Sequence, residues 1–209
     1  MSQPVVHAYG DRALLVELDD TEQVVAYVDA LSAGTPAGVA DVVPAARTVL
    51  VVAEPRADLD QLRSTLLRLE PGTGSGTVAE ADVVELGVRY DGPDLADVAR
   101  LTGLSEREVV EAHTGSTWRV AFGGFAPGFG YLVGGDSRLH VPRRDTARTV
   151  VPAGAVGLAG EYSGVYPRES PGGWQLIGTT TAVLWDLDRE PPALLRPGAQ
   201  VRFVEEGRR

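Results

Sequence analysis

Gly123-Gly124-Phe125-Ala126-Pro127-Gly128-Phe129-Gly130-Tyr131-Leu132 sets four glycines and three aromatics within ten residues. Glycine and proline at that density break helices and mark turns, so the segment reads as a turn that carries exposed or packed rings. Its surroundings are of the same kind. From Thr117 onward short apolar runs alternate with Gly and Pro, and a second glycine-rich stretch lies between Val150 and Trp174. Many short strands punctuated in this way predict a sandwich or barrel.

Moving toward the N-terminus, the pattern changes. Ser105 with Glu108 forms a capping box for a short helix that ends near His113, before Gly115. A helix opened by Gly92-Pro93 precedes it, separated by Gly103, and a strand over Val83 to Tyr90 comes before both. Residues 71 to 77, Pro-Gly-Thr-Gly-Ser-Gly-Thr, have the composition of a flexible connection and set the expected boundary between a domain at 1–80 and another at 81–209. In the first, Val24, Tyr27, Val28 and Leu31 recur at helical spacing behind an Asp20 cap, with Gln23 three residues on and Gly34 at the end. Asp58 and Gln61 repeat that cap for a helix near Leu59 to Leu69. Strands are expected at Val5 to Tyr9, Ala13 to Leu18, Val39 to Val43 and Thr48 to Ala53. The order ββαββα gives a small α+β layer domain, followed by a mainly β domain, a sandwich or a barrel.

Composition excludes several chemistries. There is no Cys, which removes disulfides and thiolate catalysis, and all 19 basic residues are Arg, which removes Schiff-base lysines and the lysine of a P-loop. A net charge of -10 argues against a nucleic-acid backbone as partner. No apolar run is long enough to span a bilayer, and the start lacks the pattern of a secretory signal, so a cytoplasmic location is expected.

Candidate site residues come from the glycine-rich stretches. Phe125, Phe129 and Tyr131 are able to wall a small pocket beside Pro127 and Gly128, or else to cover a barrel corner. The second stretch, with Pro152 and Gly154, either lines an amide hollow or simply turns the chain. His113 is a candidate acid or base if its helix end aims it at the same hollow, and a helix cap if not. His7 and His140 lack partners at metal-ligand spacing and read as structural. Arg143, Arg144 and Arg148 cluster near Asp145. Arg143, stiffened by Pro142, is the candidate for a two-pronged contact to a carboxylate or phosphate, whereas Arg144 reads as a surface residue. A rim salt bridge from Arg143 to Asp145 or Glu161 is the alternative.

These residues resemble a known family. Glu111-Ala112-His113, Gly124 to Leu132, Pro142-Arg143, Val151 to Gly154 and Ser170 to Gly178 are similar to the family of 5-oxoprolinase B subunits, which includes the Kip-type kinase inhibitors and allophanate hydrolase subunit 1. The resemblance runs from Tyr9-Gly10-Asp11-Arg12 through essentially the whole chain. It implies that the second domain is a cyclophilin-like β-barrel. It also implies an ATP-dependent opening of 5-oxoproline to glutamate, with ATP and Mg2+ held by the assembly and no metal bound by this chain. The implied partners are the larger, homologous C subunit and the A subunit of 5-oxoprolinase. Two other functions occur among such relatives: inhibition of a sensor histidine kinase, and a role in urea or allophanate breakdown. The chain departs from the family's pattern at Tyr162 and Thr179, where relatives often carry an amide and an arginine. Both positions fall in the expected mouth of the barrel, with Tyr162 among the candidate substrate contacts.

Overall fold

The computed structural model describes residues 3–70 and 83–207. The chain falls into two compact units, Met1–Thr77 and Val78–Arg209. The expected connection at 71–77, and with it the boundary at residue 80, lies outside the described residues.

In the first unit, β1 (Val5–Ala8), β2 (Ala13–Glu17), β3 (Val39–Pro44) and β4 (Thr48–Ala53) form an antiparallel sheet in the order β1-β2-β4-β3. Burial along β4 alternates strictly, so Val49, Val51 and Ala53 enter the core. Against that face pack α1 (Thr21–Ala33), through Val24, Tyr27 and Leu31, and α2 (Leu59–Arg68), through Leu62 and Leu66. Asp20 accepts the Gln23 amide at 2.8 Å, and Asp58 accepts those of Asp60 and Gln61 at 3.0 Å, as the cap spacing predicts. Tyr27, wholly buried, donates its hydroxyl to Leu66 O at 2.9 Å and so ties the two helices together.

The second unit contains β5 (Val83–Val88), α3 (Leu95–Thr102), α4 (Glu106–Gly115), β6 (Thr117–Gly123), β7 (Gly130–Val133), β8 (Arg148–Val151), β9 (Ala155–Ala159), β10 (Tyr162–Val165), β11 (Ser170–Gly172), β12 (Gln175–Thr179) and β13 (Gln200–Glu205). Seven strands make one sheet in the order β12-β9-β10-β7-β6-β13-β5, parallel only between β13 and β5, while β8 and β11 pair separately. Beyond β5, Arg89 exchanges both backbone hydrogen bonds with Thr179 of β12, at 2.9 and 2.8 Å. This joins the two outer strands into a nearly closed, barrel-like sheet and satisfies edges that would otherwise stay unpaired. Gly178 permits the approach: a Cβ there would lie 2.7 Å from Arg89 O. The strand expected through Tyr90 stops at Val88 because Arg89 turns to pair with β12, while Tyr90 enters the core.

One face of this sheet packs on α3 and α4 through Leu132, Val156, Leu158, Val165 and Ile177. The capping box of α4 forms as expected, with Ser105 and Glu108 bonding each other's backbone amides. No helix among the described residues is long and apolar enough to cross a membrane.

Candidate functional site

Side chains along β10 alternate with a period of two, so Tyr162 and Gly164, followed by Tyr166 just past the strand, share one face and Ser163 and Val165 take the other. On the first face seven rings meet, those of Phe122, Phe125, Phe129, Tyr131, Tyr162, Tyr166 and Trp174. Phe129 is their hub, edge-on to Phe125, Tyr131, Tyr166 and Trp174 at centroid distances of 5.0–5.4 Å. Gly164 makes room for it, since a Cβ there would come within 3.0 Å of both Phe129 and Trp174.

The expected pocket wall is therefore split. Phe129 and Gly154 are buried, Gly128, Tyr131 and Tyr162 are half-buried, and Phe125, Pro127 and Pro152 are exposed. Phe125 stands out because it is 56% exposed and holds φ at +61°, the left-handed region. That conformation costs roughly 1–2 kcal/mol for a residue with a Cβ. The loop closes around it through bonds from Ala126 N to Gly124 O, Phe129 N to Ala126 O and Gly124 N to Phe129 O. The amide hollow expected at the second stretch does not include Gly154: its N–H donates to Tyr166 O at 2.7 Å, so it has no donor left for a ligand. Gly160 N–H is likewise taken by Val141 O.

The arginines separate into two kinds. Arg144 and Arg148 both reach Asp94 Oδ1 at 2.6 Å, and the other oxygen, Oδ2, accepts Leu176 N–H at 2.7 Å. Asp94 is 1% exposed, so Arg144 is no plain surface residue; it compensates a buried charge. Arg143 stays exposed and makes no ion pair among the described residues, neither with Asp145 nor with Glu161. Burial pushes the Tyr166 phenol above its ordinary pKa, while a hydrogen bond from the Trp174 backbone and the charges of Arg143 and Arg148 pull it back down. The free guanidinium thus lies within electrostatic reach of the aromatic cluster.

His113 sits on the opposite side of β10 and is fully buried. Its Nδ1 lies 2.7 Å from the Tyr90 hydroxyl and its Nε2 lies 2.9 Å from Ser163 Oγ, which is 3.4 Å from Gly157 O. The carbonyl of Gly157 only accepts, so Ser163 donates to it, Nε2–H donates to Ser163, and Tyr90 donates to Nδ1. Burial pushes the imidazole down to about 3, which keeps it neutral. With both nitrogens committed and no exposure, His113 is not brought to the aromatic face, and this placement argues against direct acid–base work on a ligand.

Sequence reasoning missed Tyr166, Trp174 and Phe122. The Tyr162-Ser163-Gly164-Val165-Tyr166 alternation was the available signal for Tyr166. It also missed Asp94, whose partners lie 50 to 82 residues away, and for which no local pattern exists.

The family described as carboxyltransferase domain, subdomain C and D, matches residues 4–195. Three curated proteins named as B subunits of 5-oxoprolinase match at 45–52% identity. That of Escherichia coli O157:H7 is 52% identical over 130 residues, which are 61% of this chain and 60% of that protein's length. Across the three, the match spans 52–60% of the relatives' own length. A conserved uncharacterized protein of Pyrococcus horikoshii, of known structure, is 35% identical with a TM-score of 0.59, the likeness covering 97% of both chains. Kluyveromyces lactis urea carboxylase, 19% identical with a TM-score of 0.66 over 98% of this chain and 22% of its own, shares the fold.

Proposed function

The chain belongs to the carboxyltransferase-domain family, subdomains C and D, and on that premise we propose that it is one subunit of an ATP-dependent 5-oxoprolinase. The observation that carries this reading is the 52% identity to a 5-oxoprolinase B subunit over 130 residues. The reaction is net hydrolysis of a lactam: 5-oxoproline, ATP and two waters give glutamate, ADP and phosphate. An amide is a poor electrophile. Transfer of a phosphoryl group to the lactam oxygen activates that carbon; one water adds there and the C–N bond breaks to give the acyl phosphate and the free amine, and a second water then releases phosphate. This chain's share is to hold the substrate. The exposed Arg143 guanidinium forks onto the ring carboxylate, a contact that the point charge of a lysine does not reproduce.

ATP and Mg2+ belong to the assembly, which includes the C and A subunits. This chain has no Lys, and among its described residues no three carboxylates or histidines gather as a metal site. The test is reconstitution, following ADP release that depends on 5-oxoproline. The chain alone releases none, and the complete assembly does. Arg143→Lys in the assembly lowers turnover or weakens substrate use at least ~10-fold, about 1.4 kcal/mol. Full turnover by the partners without this chain overturns the reading.

A further inference from the structure

A hollow of about 440 Å³ opens between the last turns of α3 and the loop at 142–146, with Gln175 of β12 in its lining. Its volume suits a small metabolite. Arg100, Arg143 and Arg144 line it together with Asp97 and Asp145. Arg100 pairs with Asp97 at 2.8 Å and Arg144 shares the single charge of Asp94 with Arg148, so of the three arginines in the lining Arg143 is the one without an ion pair among the described residues. Gln175 is 6% exposed. Its Nε2 donates to Pro142 O at 3.2 Å, which fixes the orientation of the amide, and its Oε1 is buried without any donor. Arg144 Nε is a buried donor without an acceptor. Each such orphan costs about 1–3 kcal/mol, so a buried acceptor and a buried donor in the wall of one hollow call for a molecule that satisfies both.

We propose that this hollow binds a small carboxylate that carries an N–H next to its carboxylate-bearing carbon, the class to which lactam and amino-acid carboxylates belong. The N–H donates to Gln175 Oε1, and the carboxylate lies between Arg143 and Arg144 Nε. Both buried atoms are reached when the exposed loop at 142–146 yields. The inference rests on the 5-oxoprolinase reading for its choice of probe, and it places the carboxylate contact of Arg143 on the side of α3.

Calorimetric titration of the full chain tests it, with 5-oxoproline and with the lactone carboxylate in which oxygen replaces the ring N–H. The lactam binds and the lactone binds at least ~10-fold more weakly. Gln175→Leu abolishes that preference, and Arg143→Lys weakens both ligands alike. Equal affinity of lactam and lactone overturns the proposal, because an ordered water then serves Gln175. So does a preference that survives Gln175→Leu, or inorganic phosphate competing equally well in wild type and variant, which marks an anion site only. If Gln175→Leu does not fold, the lactam–lactone comparison on the wild type decides. Failure of binding with intact reconstituted turnover discards this site and keeps the subunit reading; binding without turnover does the reverse.

Discussion

Two polar clusters are built into the barrel unit, one around His113 and one around Asp94, and they are finished differently. The first is neutral and closed: Tyr90, His113, Ser163 and Gly157 pass hydrogen bonds along a line with no group left over. The second is charged and unfinished. Asp94 is satisfied by two guanidiniums and the Leu176 amide, yet Arg144 Nε, Arg148 Nη1 and Gln175 Oε1 remain buried without partners. A complete buried network fixes a packing arrangement, whereas an incomplete one holds unused hydrogen-bonding capacity for something else. His113 attracts notice from its residue type, but the open capacity lies around the aspartate.

The sharpest way to break the comparison is Asp94→Ala. It strands two arginines and an amide, and is expected to lower stability by about 3–5 kcal/mol, read from the denaturant midpoint at constant slope. A loss under ~1 kcal/mol would show the cluster to be a solvated rim. Next in size is His113→Gln, expected to cost about 1–3 kcal/mol while turnover per folded reconstituted assembly is unchanged. Turnover that falls while the melting temperature holds would return His113 to chemistry.

The closed cluster also has a pH signature. His113 is ordinary near 6.5 when unfolded and about 3 when folded, so the unfolded chain binds more protons between those values. Its contribution is complete above about 6.5 and is lost as pH falls through that window, with a slope approaching ~1.4 kcal/mol per pH unit. The difference between wild type and His113→Gln, measured from about pH 7 to 4, isolates it; parallel profiles would refute the assignment. The smallest expected effect is at Phe125→Gly. Relief of left-handed strain, roughly 1–2 kcal/mol, is set against two ring contacts worth ~0.5–1.5 kcal/mol each, so the midpoints nearly cancel and the net change lies between a gain of ~1 and a loss of ~2 kcal/mol. A large loss would make that loop a structural corner and not a held-open contact.

The legibility of the sequence follows how local each determinant is. Asp20, Asp58 and Ser105 were readable as caps because the groups they serve lie two or three residues away. Asp94 occupies the same kind of position before α3, but makes no side-chain cap bond and reaches across the fold instead. The glycine-aromatic turn and the mainly β character of the second unit were visible as composition and period, which left sandwich and barrel open; the barrel came from the family resemblance. The pairing of Arg89 with Thr179, and the separation of Arg143 from Arg144, were not, since both depend on which strands become neighbours. Thr179, read as a departure at the barrel mouth, lies at that junction and donates to Asp91 at 2.9 Å.

The strand order also sets a timetable for biosynthesis. All four strands of the first sheet lie within Val5–Ala53, so that unit has its partners as soon as they leave the ribosome. The second sheet instead seats β13 between β6 and β5. Until β13 (Gln200–Glu205) emerges, β5 lacks its parallel neighbour, and the nascent barrel must wait with apolar strands exposed, the condition under which growing chains recruit chaperones.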